Sequence, residues 1–384
     1  MANHNIKAAF YCAEAAFLFA VKRIICTLRP KQTTMNKIAI IAASIIISGC
    51  AGNSGSKTKN GNNVKVSVTL TSGQIYTSGD KIVLQCQADN HQSIDSLIIS
   101  INHQTFRFGP ADTVRIPTGE LPMGSHNIGV EARFTNGSKA TGRSRVCIKS
   151  DIEPEKLTYR IVRKLPHSTR HYTQGLEFDG DPLYEGTGIA GQSAVYKTDF
   201  KQLNIVNSIN LDNEYFGEGI SIMGDKLYQL TWQSYIGFIY NKHTLNKLSS
   251  FSYSTEGWGL TNDGNQLIMS DGSEKIYFID TATMRETRRI EVYDNHGPVT
   301  MLNELEYADS LIYANIYCSD YIVAINPANG KVLKIIDMHN LLNSTTIKQR
   351  VDVLNGIARQ PNTGKWFVTG KLWPTLFEVE FISK

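Results

Sequence analysis

The sequence predicts an all-β protein, a five-bladed β-propeller preceded by a small immunoglobulin-like β-sandwich, and three observations predict it. The first is a repeat. One polar or aromatic residue stands two positions before an aliphatic in Gln174-Gly175-Leu176, Glu218-Gly219-Ile220, Trp258-Gly259-Leu260, Asn303-Glu304-Leu305 and Asn355-Gly356-Ile357, at gaps of 44, 40, 45 and 52 residues. The second is a set of strand-like runs after each copy, such as Leu227 to Leu230 and Ile236 to Tyr240, closed by turn signals such as Asn326-Pro327-Ala328-Asn329-Gly330. Four short strands at a period of roughly 40 to 50 residues make one propeller blade, so five copies make five blades. The third is a separate set of about seven short alternating runs ahead of the repeat, which fits an immunoglobulin-like sandwich.

Taken in order, residues 1–34 precede Met35-Asn36-Lys37, which reads as the natural start, so they are expected to be an upstream extension outside the fold. Residues 35–49 read as a signal peptide, with Lys37, the apolar run Ile38 to Ile47 and then Ser48-Gly49. Ile47-Ser48-Gly49-Cys50 is similar to the lipobox of bacterial lipoproteins, which implies lipidation of Cys50. A run of about ten apolar residues is too short to cross a bilayer. Residues 50–63, from Cys50 through a stretch poor in large apolar residues, read as a flexible tether. Residues 64–150 form the sandwich, and 151–156, with Glu153-Pro154-Glu155-Lys156, read as a linker.

Residues 157–384 form the propeller. Its last copy ends at Phe381 after only three runs, so the alternating run Leu157 to Leu165 is expected to supply the fourth strand of the last blade. That closure removes a free sheet edge. Met338 to Asp352 breaks the strand pattern, accounts for the 52-residue gap, and is expected to hold a short helix.

The formal charge of +4 is a property of the leader. Residues 1–49 hold six Lys/Arg and one Asp/Glu, which leaves 33 basic and 34 acidic groups in the rest of the chain. A near-neutral body does not predict nucleic-acid binding. Cys86 and Cys147 share the sandwich, where either a disulfide in an oxidising compartment or two buried thiols is compatible with the sequence, and no spacing of Cys and His reads as a zinc site. A lipoprotein of the cell envelope, anchored to the outer membrane and facing the periplasm, is the expected location.

In a propeller the first strand of each blade lines the central channel, so Gln174, Glu218, Trp258, Asn303 and Asn355 are expected to converge on one axis. Counting four residues on from the aromatic or aliphatic of the second run gives a second ring of Gly188, Trp232, Gly272, Tyr317 and Lys371. Together the rings hold one acid, one base, three amides and three aromatics.

Several segments go beyond a generic propeller. They are His171-Tyr172-Thr173-Gln174-Gly175-Leu176, Tyr184-Glu185-Gly186-Thr187-Gly188, Phe216-Gly217-Glu218-Gly219, Leu230-Thr231-Trp232, Glu256-Gly257-Trp258-Gly259-Leu260, Leu302-Asn303-Glu304-Leu305-Glu306 and Thr369-Gly370-Lys371-Leu372-Trp373-Pro374. In this order they resemble the plant and bacterial glutaminyl-peptide cyclotransferases, from about Leu157 to the C-terminus. The resemblance implies a five-bladed propeller with no catalytic metal or other cofactor, acting on N-terminal glutamine of peptides and proteins to form pyroglutamate and ammonia.

That chemistry suits the residues. An α-amine has a pKa of about 8 and must lose a proton before it attacks. A carboxylate walled by Trp232 and Trp258 has its pKa raised by desolvation, which suits Glu218 as the acid/base. Lys371 is the expected oxyanion donor, with Gln174, Asn303 and Asn355 as polar contacts and Trp232, Trp258 and Tyr317 as aromatic contacts for substrate. Two departures from the family pattern stand out: Tyr317 where a tryptophan is expected, and Ser193-Ala194-Val195-Tyr196 without the expected arginine. Two other readings are compatible with the rings. One is a calcium-dependent, lactonase-like hydrolase using Glu218, Asn303 and Asn355 as oxygen ligands; the other is a non-catalytic peptide-binding propeller.

Overall fold

The computed structural model describes residues 66–70, 75–88, 93–102, 104–343 and 349–384. The segments expected as an upstream extension, a signal peptide and a tether, with Cys50, lie outside the described residues. The chain divides into two compact units, one ending at Glu120 and resuming over Ser125–Ile148, the other formed by Leu121–Gly124 and Lys149–Lys384.

The first unit carries β1 (Val66–Leu70), β2 (Ile75–Thr77), β3 (Lys81–Ala88), β4 (Ile94–Ile101), β5 (Gln104–Phe108), β6 (Thr113–Pro117), β7 (Gly124–Phe134) and β8 (Lys139–Lys149). They form two sheets, ordered β1-β3-β6 and β2-β8-β7-β4-β5. Alternation is strict where a strand has one face in the core: β7 buries every second residue from Gly124 to Phe134. Ile82, Leu84 and Ile116 of one sheet and Leu97, Ile99 and Ile148 of the other are fully buried. Cys86 and Cys147 lie on β3 and β8, in different sheets, and no disulfide joins them; Cys86 is buried and Cys147 half-buried. Burial, with the Asp112 charge adding to it, pushes the Cys86 thiol up to about 11, so it is an inert core residue.

The second unit is the propeller. After β9 (Glu155–Pro166), blade 1 is β10 (Thr173–Phe178), β11 (Leu183–Thr187), β12 (Ala194–Asp199) and β13 (Asn204–Asn210). Blade 2 is β14 (Gly217–Met223), β15 (Lys226–Thr231), β16 (Ile236–Asn241) and β17 (Lys247–Ser252); blade 3 is β18 (Leu260–Asn262), β19 (Gln266–Ser270), β20 (Lys275–Asp280) and β21 (Arg285–Glu291). Blade 4 is β22 (Leu302–Ala308), β23 (Leu311–Ile316), β24 (Tyr321–Ile325) and β25 (Val332–Asp337), and the last three strands are β26 (Leu354–Arg359), β27 (Trp366–Gly370) and β28 (Thr375–Ser383).

The expected closure is present. Strand β9 pairs antiparallel with β28 from Leu165↔Leu376 to Leu157↔Ser383, making the fourth strand of blade 5. The same strand also pairs in parallel with β25 of blade 4, Glu155↔Lys334 to Leu157↔Ile336, so blades 4 and 5 share one eight-stranded sheet. This second pairing is why β9 starts at Glu155, inside the stretch expected as a linker.

The core is not central. It is divided into clusters that lie between neighbouring blades, such as Tyr184, Val195, Ile220 and Leu227 between blades 1 and 2 and Ile357, Val368, Ala324 and Ile336 between blades 4 and 5. Inner strands are therefore buried on both faces, as in β14, whereas outer strands such as β13 and β17 are mostly exposed. The short helix expected over Met338 to Asp352 is absent from its described part: Met338 to Asn343 and Gln349 to Val353 are turns and irregular backbone, and residues 344–348 lie outside the described residues. Met338 and Leu341 join the cluster between blades 4 and 5, which holds this segment by side-chain anchoring instead of a helical ladder. Among the described residues there is no helix long and apolar enough to cross a membrane.

Candidate active site

Four inner strands carry a β-bulge at the ring residue. Register shifts fall between Thr173 and Gly175, Gly217 and Ile220, Leu302 and Leu305, and Leu354 and Ile357. A bulge re-aims one side chain without ending the strand. The residues so placed are Gln174, Glu218, Asn303 and Asn355, all buried at 5% exposure or less. In blade 3 the pairing starts only at Leu260↔Met269, so Trp258 stands just ahead of the strand.

The glycine after three of the ring residues has a packing reason. A Cβ on Gly219 would sit 2.5 Å from Leu260 N, one on Gly175 2.5 Å from Ile220 N, and one on Gly259 1.9 Å from Asn303 O. Inner strands of adjacent blades touch backbone to backbone at the axis, and only a residue without a side chain fits there. Blade 4 has Glu304 instead, and its carboxylate accepts hydrogen bonds from Leu176 N at 3.1 Å and Ile357 N at 2.7 Å. Glu177 accepts from Ile222 N and Glu306 from Arg359 N in the same way. Channel-facing strands are sheet edges, and these buried carboxylates satisfy their N–H groups. Burial pushes all three glutamates above the ordinary carboxylate range, Glu177 to about 8.

A shared backbone bond ties the second ring to the first. Gly188 N donates to Tyr172 O, Trp232 N to Phe216 O, Tyr317 N to Met301 O and Lys371 N to Val353 O, each acceptor standing two positions before a first-ring residue. The glycines of this ring make room for neighbours. A Cβ on Gly188 would meet the Phe216 ring at 2.4 Å, and one on Gly272, whose φ is +80°, would meet the Trp258 indole at 2.6 Å. Trp258 and Tyr317 meet edge to face with ring centres 5.4 Å apart, so the tyrosine standing where a tryptophan was expected still packs as pocket wall.

Lys371, 2% exposed, lies with its ammonium 4.8 Å from the ring centres of both Tyr172 and Tyr317. Two aromatic faces compensate part of the cost of burying that charge. Burial pushes Glu218 well above the usual carboxylate range; the Lys371 cation opposes this and the Glu256 charge adds to it. Asn303 has a buried Oδ1 with no hydrogen-bond partner among the described residues, and so has Asn355. The Asn355 Nδ2 donates to Thr173 O at 3.0 Å and Gln174 Oε1 at 3.2 Å, so it orients Gln174.

Residues without an assigned role in the sequence also shape the site. Ser193 accepts a hydrogen bond from Gly217 N at 2.9 Å and donates to Ile189 O, so the motif that lacks an arginine holds the strand carrying Glu218. Glu185 accepts from Thr173 Oγ1 at 2.7 Å and bonds His171 Nδ1 at 2.7 Å and His167 Nε2 at 3.0 Å. His167 Nδ1 also contacts Trp373 O at 2.7 Å, so blade 5 is bound to the entry of β10. The ligand atoms of His167, His171 and Glu185 lie within 4.8 Å of one another, a metal-capable grouping that sequence spacing did not disclose. Each is committed to hydrogen bonds within the knot. Burial would lower His167, but the Glu185 charge, its hydrogen bond and the Trp373 carbonyl outweigh it and hold the imidazole above its usual value; Glu185 is held well below its own. That makes the knot a buried ion pair. The signal for the aromatic wall was in the repeat: Tyr172 and Phe216 both stand two positions before a first-ring residue.

Fold and site thus define a five-bladed propeller in which the buried carboxylate of Glu218 and the buried ammonium of Lys371 are electrostatically coupled beside aromatic side chains. The family model for glutamine cyclotransferase matches residues 135–381, and the chain belongs to that family. It is 38% identical over 224 residues to the Arabidopsis thaliana glutaminyl-peptide cyclotransferase, an alignment covering 57% of this chain and 70% of that protein. It is similar to the crystal structure of Myxococcus xanthus glutaminyl cyclase with a TM-score of 0.56 and 35% identity, covering 60% of this chain and 98% of that one.

Proposed function

We propose that this chain is a glutaminyl-peptide cyclotransferase, which converts the N-terminal glutamine of peptides and proteins to pyroglutamate and ammonia, with Glu218 as its acid/base. The observation that carries the mechanism is a carboxylate 5% exposed at the propeller axis, its proton affinity raised by burial, with Lys371 close enough to oppose that rise. Family membership supports the reaction.

The neutral α-nitrogen attacks Cδ of the side-chain amide of its own residue. As that C–N bond forms, Glu218 takes one proton from the attacking nitrogen. As the bond to the amide nitrogen breaks, Glu218 returns the proton to it, so ammonia leaves and the carboxylate is regenerated. Lys371 donates to the oxyanion, a contribution of about 3 kcal/mol for one such donor. Asn303 Oδ1 takes an N–H of the substrate, Gln174 positions its amide, and Trp232, Trp258 and Tyr317 cover the apolar stem. Curling the chain supplies the proximity, since both reacting groups share one molecule.

Envelope localisation is part of the same proposal. Lys37, the apolar run to Ile47 and the lipobox-like Ile47-Ser48-Gly49-Cys50 support a lipid anchor at Cys50, with exported proteins as substrates. The eight-stranded N-terminal unit is read as an immunoglobulin-like spacer, with the boundaries 64–150 and 157–384 for the two domains.

The test is ammonia release from an N-terminal Gln dipeptide amide by the full chain with EDTA present, comparing wild type with Glu218→Gln. Release by wild type and its loss in a folded variant is the expected outcome. A wild type that stays silent on several Gln peptides ends the cyclase reading, and activity that EDTA abolishes favours the calcium-dependent hydrolase.

A further inference from the structure

The two tryptophans of the pocket are held by one atom. Glu256 Oε2 accepts from Trp232 Nε1 at 2.7 Å and from Trp258 Nε1 at 3.0 Å, while Glu256 Oε1 accepts from Gln233 Nε2 at 2.8 Å. Trp232 follows the second strand of blade 2 and Trp258 opens blade 3, so this carboxylate bridges two blades at the pocket.

Its own placement is rigid. Gly257 N donates to Trp232 O at 3.2 Å, and a Cβ at Gly257 would fall 2.6 Å from Tyr253 Oη, so the loop is pressed against that ring. Tyr253 is in turn fixed by Thr231, whose N–H donates to its hydroxyl and whose carbonyl accepts from it. In the repeat, Glu256 occupies the position held by Tyr172 in blade 1 and Phe216 in blade 2, where those residues lend an aromatic wall. Blade 3 places a charge there instead. An exposed turn glutamate has no reason to sit between two indole N–H groups, and a partly buried indole N–H needs an acceptor.

We propose that Glu256 is the positioning residue of this active site: it clamps Trp232 and Trp258 in the orientation that walls the substrate. This rests on the cyclase reading above. A like charge nearby disfavours ionisation of a carboxylate, so the Glu256 charge raises the proton affinity of Glu218. The groups whose charge couples to Glu218 are Lys371 from blade 5, whose cation works against that rise, Glu256 from the loop before β18, and the Tyr253 hydroxyl, itself pushed up to about 12 by burial. Charge and clamp are separable by chemistry. The carbonyl oxygen of a glutamine can accept both indole N–H groups, and the Gln233 amide can turn to meet the new NH₂, so Glu256→Gln keeps the clamp and removes the charge. Glu256→Ala removes both.

The experiment measures kcat and KM across pH on one N-terminal Gln peptide for the full chain, wild type, Glu256→Gln and Glu256→Ala, alongside near-ultraviolet circular dichroism. Glu256→Ala is expected to lose tryptophan ellipticity and to raise KM by about tenfold, because the walls are no longer oriented. Glu256→Gln is expected to restore ellipticity and most of KM while moving the acid limb of kcat to lower pH by about half a unit to one unit. A merely structural contact would not move that limb. A limb at the wild-type pH in Glu256→Gln overturns the electrostatic half, and wild-type KM and ellipticity in Glu256→Ala overturns the clamp. Wild type inactive on Gln peptides overturns the cyclase reading instead, and the ellipticity of the two variants still decides whether the clamp exists.

Discussion

The hydroxyl of Ser193 receives the backbone N–H of Gly217 at 2.9 Å, one residue before the buried carboxylate of Glu218. Gly217 is buried at the bulge of β14, and a Cβ on it would lie 2.7 Å from Thr187 O, so water has no room to replace the hydroxyl. Ser193→Ala leaves that N–H unsatisfied. A loss of about 1 to 3 kcal/mol in unfolding free energy is expected, read from denaturant curves, with kcat falling more than KM rises because Glu218 is no longer held at its bulge.

Lys371 and Glu218 are coupled, and the sign of that coupling is testable. Burial raises Glu218 and the Lys371 cation opposes the rise, so Lys371→Met raises it further. With Glu218 as the proposed base, the acid limb of kcat moves to higher pH, opposite to the Glu256→Gln shift. The plateau is also expected to fall, by about a hundredfold to a thousandfold for loss of the proposed oxyanion donor. A limb displaced to lower pH contradicts the assignment of Glu218 as the titrating base.

The knot of His167 and Glu185 gives stability a pH window. Glu185 is depressed in the folded protein, so its contribution is present above the unfolded value of about 4.3 and is lost as pH falls through the folded one. His167 is raised, so its contribution is full below the unfolded value of about 6.5 and is lost as pH rises through the folded one. Both act together between those two pH values. The melting-temperature gap between wild type and Glu185→Gln is expected to be widest there and to narrow on either side; a gap independent of pH contradicts the ion pair.

Much of this was legible from the chain alone because a propeller repeats its side-chain code. The ring residues were found by position, since Gln174, Glu218, Trp258, Asn303 and Asn355 recur at one place in five similar units. The joining of chain ends followed from a missing strand, as β9 beside β28 confirms. The helix expected near Met338 was misplaced because a broken strand pattern has more than one cause, and side-chain anchoring into an existing cluster leaves no periodicity to read.

Sequence by itself determined the blade count, the ring positions and the kind of chemistry they offer, because hydrophobic period and turn residues are local properties that survive in one dimension. Only the tertiary structure decided which partner each polar atom has. Glu256 meets two indoles across two blades, Glu304 reaches strands of blades 1 and 5, and Glu185 gathers histidines from outside its own strand. Hydrogen bonds and charge coupling depend on distances of about 3 Å between atoms, and in a closed ring those distances join residues that the chain holds far apart.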